Sequence, residues 1–191
     1  MTRMLVLMVG IPGAGKTWLL ERFLPDAHVI RPDDHIGYTK ENPWTPRAAK
    51  LAWDRAHADL KEALSENGPD VIVFDATMVG AKKRRRYIRM AEKAGIYPVA
   101  IHLDTPLKIC QARNDTREKA RRVPDQAMGS MQGRLETPQT QEGFAVVMNY
   151  SAGGFIAKSS RATDPDGAVF GEICRMMADF RKKNPNQEEG E

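Results

Sequence analysis

Little in this sequence could hold a fold together covalently or bind a metal through soft ligands. Only two cysteines, Cys110 and Cys174, occur in 191 residues, far apart and without paired spacing. They exclude a disulfide framework and a cysteine-based zinc site, and they suit a reducing cytosol, so a cytoplasmic location is expected. The four histidines show no His-x-x-His spacing and add no metal signal. The longest apolar run near the start, Leu5 to Val9, is too short to span a bilayer and is not followed by a signal-peptide cleavage region. Neither secretion nor a membrane partner is expected. No internal repeat is visible, and no linker is long enough to divide the chain. At about 100–200 residues per domain, the length implies one domain. A chain of this size buries about 70% of its unfolded surface and supports its own core.

Net charge is a mild +4, but it is unevenly placed. Lys82, Lys83, Arg84, Arg85, Arg86 and Arg89 form one basic block. Lys108, Arg113, Arg117, Lys119, Arg121 and Arg122 form a second, diluted by Asp115 and Glu118. Such patches favour anionic partners, phosphates or nucleic acid. A solvated helix face would look the same. The stretch Asn184 to Glu191 is polar and ends acidic, so a disordered tail is expected after a single domain over residues 1–183.

Met4 to Val9 is continuously apolar, as a strand buried on both faces of a parallel sheet should be. A Gly-rich turn and a helix over Lys16 to Phe23 follow, then a short strand over His28 to Ile30. Thr45 offers an N-cap with Pro46 at the first helical position, and Ala49, Trp53, Ala56, Leu60 and Leu64 continue at helical spacing. Val71 to Phe74 reads as a buried strand, Ala81 to Ala94 as a basic helix, and Val99 to Leu103 as a strand. Pro106 opens a further helix, Asp125 to Leu135 another, and Gly143 to Asn149 forms a late strand before a helix over Gly167 to Lys182. Alternating buried strands and helices predict an α/β fold, a parallel sheet sandwiched by helices.

Gly10-Ile11-Pro12-Gly13-Ala14-Gly15-Lys16-Thr17 fits G-x-x-x-x-G-K-[ST] at every fixed position. Glycines let the backbone curl until successive N–H groups point at phosphate oxygens, and the following helix presents its positive end. The loop predicts nucleotide binding by Gly10, Pro12, Gly13, Ala14, Gly15, Lys16, Thr17 and Trp18. Lys16 reaches the outer phosphates and the Thr17 hydroxyl ligates Mg²⁺. Asp75 ends the Val71–Phe74 strand, where a P-loop protein places its magnesium carboxylate. A helix cap is the competing reading.

A P-loop alone does not separate kinases from ATPases or GTPases. Arg31-Pro32-Asp33-Asp34 follows the second strand, and a carboxylate on a strand next to the P-loop strand would lie beside the ligand cleft. There it can accept the proton of an alcohol under phosphorylation. A simple turn is the alternative. Arg113, Arg117 and Arg121 recur every four residues, so on one helix they would share a face and form a lid over the phosphates.

These pieces resemble the 5′-hydroxyl polynucleotide kinase branch of the P-loop kinases. The resemblance rests on residues 10–18, Arg-Pro-Asp-Asp at 31–34, Phe-Asp-Ala-Thr at 74–77, Arg-Asn-Asp-Thr-Arg at 113–117, Val-Pro at 123–124 and Glu-Gly-Phe at 142–144. It implies an ATP- and Mg²⁺-dependent kinase with Lys16 and Thr17 on phosphate and metal and Asp33 as general base. It also implies Arg113 and Arg117 as lid arginines, with Arg117 on the transition state. One departure concerns the acceptor. The nucleic-acid kinases commonly carry an arginine three residues after the catalytic aspartate, and here that residue is Ile36.

Three functions follow as alternatives. The first is phosphorylation of a nucleic-acid hydroxyl, a 5′-OH end of DNA or RNA. The second keeps the kinase but gives it a nucleoside, a hydroxymethylated base or another small alcohol. The third is a nucleotide-dependent switch or interaction module without transfer. With Ile36 in place of arginine, the phosphates of an acceptor strand fall to Arg31, Lys40 and the Lys82–Arg89 block, Lys83 and Arg86 above all, while Asp33 and Asp34 are the acidic residues expected at the acceptor. Trp53 is expected to pack in the helical core, leaving Trp44, beside Pro43, as the exposed surface on which a base could stack.

Overall fold

A computed structural model describes residues 2–36, 45–151, 154–160 and 162–183. Lys40, Trp44 and the tail over 184–191 lie outside the described residues. Six strands, β1 (Met4–Val9), β2 (His28–Ile30), β3 (Val71–Phe74), β4 (Tyr97–Leu103), β5 (Val146–Ser151) and β6 (Gly154–Ser159), form one sheet in the order β2-β3-β1-β4-β5-β6. The sheet is parallel from β2 to β5, and β6 closes it antiparallel to β5. Central β1 lies between β3 and β4, which is why it reads as an unbroken apolar run and why all six of its residues are buried.

Alternate β1 side chains feed two cores. Met4, Val6 and Met8 pack with Leu19, Leu20 and Phe23 of α1 (Lys16–Phe23) and with Val169, Ile173 and Phe180 of α6 (Ala168–Lys183). Leu5, Leu7 and Val9 pack on the opposite face with Ala56 and Leu60 of α2 (Pro46–Ala63) and Tyr87, Ile88 and Ala91 of α3 (Ala81–Lys93). The Thr45 hydroxyl caps α2 by accepting from the Ala48 amide at 3.1 Å, with Pro46 at the first helical position. Helix α4 (Leu107–Asp115) and helix α5 (Asp125–Gly133) follow β4.

Three expectations are corrected. Strand β6 has no counterpart in the sequence reading, because an edge strand with one buried residue, Phe155, carries only the short apolar stretch Phe155-Ile156-Ala157. Strand β2 does not adjoin the P-loop strand; β3 lies between them. And α4 stops at Asp115, so Arg113, Arg117 and Arg121 do not share a helical face. The Thr116 hydroxyl folds back to donate to the Arg113 carbonyl at 2.8 Å, and the Asn114 amide clamps the chain returning nine residues later. Its Nδ2 donates to the Val123 carbonyl at 2.8 Å, and its Oδ1 accepts the Val123 N–H at 3.0 Å. Arg117 therefore rides on a loop closed at its base, and Arg121 ends a short 3-10 turn, Lys119–Arg121.

The first basic block is likewise not one solvated face. Arg84 is fully buried and forks onto Glu142, Nε to Oε2 at 2.8 Å and Nη2 to Oε1 at 2.6 Å, while Nη1 donates to the carbonyls of Met78 and Val79. Gly143, at φ +112°, then turns the chain so that Phe144 enters the core. Removing one partner of a buried pair strands the other charge, so Glu142→Ala should destabilise the protein by about 3–5 kcal/mol. Urea denaturation measures this; a loss within about 0.5 kcal/mol, the range of an ordinary surface change, would show that Arg84 does not need Glu142.

Candidate active site

The P-loop leaves β1 at the carboxyl end of the sheet and curls into α1. Gly13 has φ +83°, and a Cβ there would meet the Cys110 carbonyl of α4 at 2.3 Å, so both the turn and the close approach demand glycine. Gly15, at φ +99°, caps α1 without a side chain. Pro12 and Ala14 are buried in the loop's base, Lys16 is half-buried, and Thr17 is exposed at the first turn of α1. Two residues brace the loop from the α4 side. Thr105 Oγ1 donates to the Ala14 carbonyl at 2.9 Å, and Arg113 Nη1 approaches the Gly13 and Ala14 carbonyls at 3.4 and 3.5 Å. Trp18 lies farther along α1, its ring 6.3 Å from Tyr150 and under the Arg22 guanidinium at 4.5 Å.

The Lys16 ammonium lies across the loop and donates to the carbonyls of Gly10 at 3.0 Å and Ile11 at 3.1 Å. Burial lowers its pKa, the carboxylates of Asp75 and Asp33 oppose that, and the Arg117 charge adds to the lowering. Asp75 ends β3, beside the P-loop strand, and its side chain is only 6% exposed. Arg31 Nε donates to Asp75 Oδ2 at 3.0 Å, and Arg31 Nη1 lies 3.8 Å from Asp34.

Asp33 sits in a 3-10 turn, Pro32–His35, that follows β2 and packs on α2. Desolvation pushes its carboxyl above the usual carboxylate range, and Asp75 pushes the same way, while Lys16 and Arg117 pull it down. Lys16, Asp33, Asp75 and Arg117 thus act on one another although β2 is two strands from β1. The intervening β3 contributes Asp75 and fills the gap. The second acidic residue of the turn, Asp34, is 64% exposed and lies 3.8 Å from Arg31, and its charge adds to the raising of the Asp33 pKa. Ile36 is buried and offers no charge to an acceptor phosphate.

Lys83 and Arg86 belong to α3 and lie on its α2 side. Lys83 Nζ stands 3.8 Å over the Trp53 ring, and Arg86 is among the charges acting on His57. Two functional supports had no readable role in the sequence: the Asn114–Val123 clamp that shapes the Arg117 loop, and Glu142, which withdraws Arg84. Their signal was the pairing of Arg-Asn with Val-Pro nine residues on, and of the basic block with Glu-Gly-Phe across 58 residues. Among the described residues no three His, Cys, Asp or Glu side chains gather into a metal cluster. Thr17 and Asp75 supply hard oxygen donors without forming a cage, which fits an ion that keeps waters and phosphate ligands, as Mg²⁺ does. No described helix is long and apolar enough to cross a membrane.

Residues 5–138 match the family described as an AAA domain. Similar solved structures include Kti12 of Chaetomium thermophilum in complex with ADP-AlF3, 15% identical, covering 91% of this chain and 98% of that one at a TM-score of 0.57. A gluconokinase from Sinorhizobium meliloti is 16% identical and covers 95% and 97% at 0.52. The AvrRxo1-ORF1:AvrRxo1-ORF2 complex with sulphate ions is 14% identical at 0.65; the match covers 90% of this chain but only 63% of that one. At these identities the likeness shows the fold: a six-stranded, mostly parallel sheet flanked by helices, as in P-loop kinases.

Proposed function

We propose, from the premise that the chain belongs to the AAA domain family, that it is an ATP- and Mg²⁺-dependent kinase whose acceptor is a nucleic-acid hydroxyl, a 5′-OH end. One observation carries the reading of transfer over switching. A second carboxylate, Asp33, lies within electrostatic reach of Lys16, Asp75 and Arg117, and its pKa is raised. Such a proton acceptor suits an alcohol acceptor, whose hydroxyl proton must leave as the new P–O bond forms.

In this reading the loop amides and Lys16 hold the phosphates of ATP, and the ammonium exchanges the Gly10 and Ile11 carbonyls for phosphate oxygens. Asp33 accepts the hydroxyl proton as the new P–O bond forms. Arg117, carried over the P-loop on the clamped loop, meets charge developing on the transferred group, and Arg113 ties that loop's helix to the phosphate cradle. Thr17 and Asp75 would hold Mg²⁺, which when bound neutralises charge on the outer phosphates. Residues 1–183 act as one catalytic domain, working in the cytoplasm.

Buried Ile36 favours a second reading, a small alcohol as acceptor, because the arginine that would grip a substrate phosphate is missing. Arg31, Lys83 and Arg86 supply charge for the first. Transfer from γ-labelled ATP to a panel of 5′-hydroxyl oligonucleotides, nucleosides and hydroxymethylated DNA decides between them. Oligonucleotides should be the better acceptors, and their binding should fall steeply with salt as counterions are displaced. Neutralising Lys83 and Arg86 together should weaken that binding and flatten its salt dependence. Equal phosphorylation of nucleoside and oligonucleotide, indifferent to these substitutions, would install the second reading.

A further inference from the structure

Trp53 packs against the core, as expected, without being enclosed by it. The packing of α2 on the sheet is carried by Ala52, Ala56, Leu60 and Ala63, all buried, whereas Trp53 is only half-buried. Its ring edges toward Phe74 at 5.9 Å and His57 at 5.8 Å, and an ammonium, Lys83, stands 3.8 Å over its face. Among the described residues no ion pair of Lys83 is seen; its ammonium rests on the indole, and desolvation lowers its pKa although the residue as a whole is exposed.

The pair stands on the acceptor side of the cleft. Phe74 is the last residue of β3 and Asp75 is the next in the chain. Lys83 is in the first turn of α3, which begins directly after the loop leaving Asp75. The turn bearing Asp33 is fastened to the same helix as Trp53, through His35 Nε2 and Asp59 at 2.9 Å. Asp59 is six residues, about 9 Å of helix, from Trp53. Burial lowers the pKa of neighbouring His57, the charges of Arg86, Lys83 and Lys61 add to the lowering, and Asp54 opposes it. His57 is itself held by the Tyr87 hydroxyl at 2.8 Å. An aromatic ring under one cation, with further basic side chains acting on its neighbour His57, offers what grips single-stranded nucleic acid: stacking for the base and charge for the backbone.

We propose that Trp53 is the stacking platform for the 5′-terminal base of the acceptor, and that Lys83 leaves the indole to meet the phosphate following that nucleotide. This rests on the nucleic-acid reading above and supplies the contact that Ile36 cannot. The competing view is that Trp53 and Lys83 only join α2 to α3.

The test uses the full chain and a short single-stranded DNA with a free 5′-hydroxyl, labelled at its 3′ end, with and without its 5′-terminal base. Binding is read by fluorescence anisotropy. Removing the base should weaken wild-type binding about 5- to 150-fold, the worth of one base–aromatic stack. Trp53→Leu should bind the intact strand as weakly as the wild type binds the abasic one, and should no longer sense the base. Trp53→Phe, which keeps a ring, should recover part of the difference. Lys83→Met should lower the salt slope by about one while keeping sensitivity to the base. Tight binding of both strands by the wild type, with no effect of the base, overturns the platform and leaves the acceptor reading standing. That result needs no variant, so a misfolded Trp53→Leu cannot obscure it. Failure of the wild type to bind or phosphorylate either strand overturns the acceptor reading itself, and the platform with it.

Discussion

Lys16→Ala is expected to abolish phosphoryl transfer in a protein that still folds. The ammonium is half-buried, and its hydrogen bonds are to the Gly10 and Ile11 carbonyls of its own loop. Losing them costs little net stability, because removing the lysine also removes the cost of desolvating a charge, visible in its lowered pKa. The loop's shape rests elsewhere, on the glycines at positive φ, on Thr105 bonded to the Ala14 carbonyl and on the close approach of α4 at Gly13. The loss therefore falls on the chemistry. Deleting one preorganised electrostatic contact to a developing charge typically costs about 10²–10³ in rate, and a full positive charge against outer phosphates should cost at least that. Paired measurements settle it: the urea midpoint for the fold, and label transfer from γ-labelled ATP for the rate. A folded variant with wild-type turnover would remove Lys16 from the site and, with it, the nucleotide assignment of the loop.

How much of this was legible in the sequence depended on whether local chemistry dictates the pattern. The P-loop was readable because phosphate recognition imposes glycines and a lysine at set spacing. Strand β1 was readable because burial on both faces leaves no place for a polar residue. Thr45-Pro46 announced α2 because capping is local. The failures were all questions of tertiary partnership. Arginines at every fourth position look like one helical face until Thr116 and Asn114 end the helix, and nothing near Arg117 shows that Val123 will return to close the loop. Arg84 is indistinguishable from Arg85 in a basic run, yet one is fully buried on Glu142 and the other is exposed. Helical spacing placed Trp53 against the core, where it packs, but gave no sign that it stays half-buried or that a cation from another helix stands over its ring. Strand order was not readable at all, so Asp33 was expected on a strand beside β1. The charges nevertheless converge, because β3 carries Asp75 between them.

Asp33→Asn should retain ATP binding and reduce turnover by about 10²–10⁴, the usual worth of a positioned acid–base group. The amide keeps the size and most of the hydrogen bonding of the carboxylate but cannot take the proton. Asp34 offers a control two atoms of backbone away in chemistry yet different in setting. It is largely exposed, faces Arg31 at 3.8 Å, and is not among the groups acting on Lys16. Asp34→Asn should therefore be mild. The pH profile supplies a second, independent readout. Desolvation and the Asp75 charge raise the Asp33 pKa in the free protein, so its basic form is lost, as pH falls, sooner than that of an ordinary aspartate. The acid limb of kcat/KM, which reports the free enzyme, should consequently lie above the usual aspartate range and be missing from the residual activity of Asp33→Asn. Were Asp34→Asn the crippling change, with Asp33→Asn mild and its acid limb intact, the proton would belong to the neighbouring carboxylate and Arg31 would be the group that positions it.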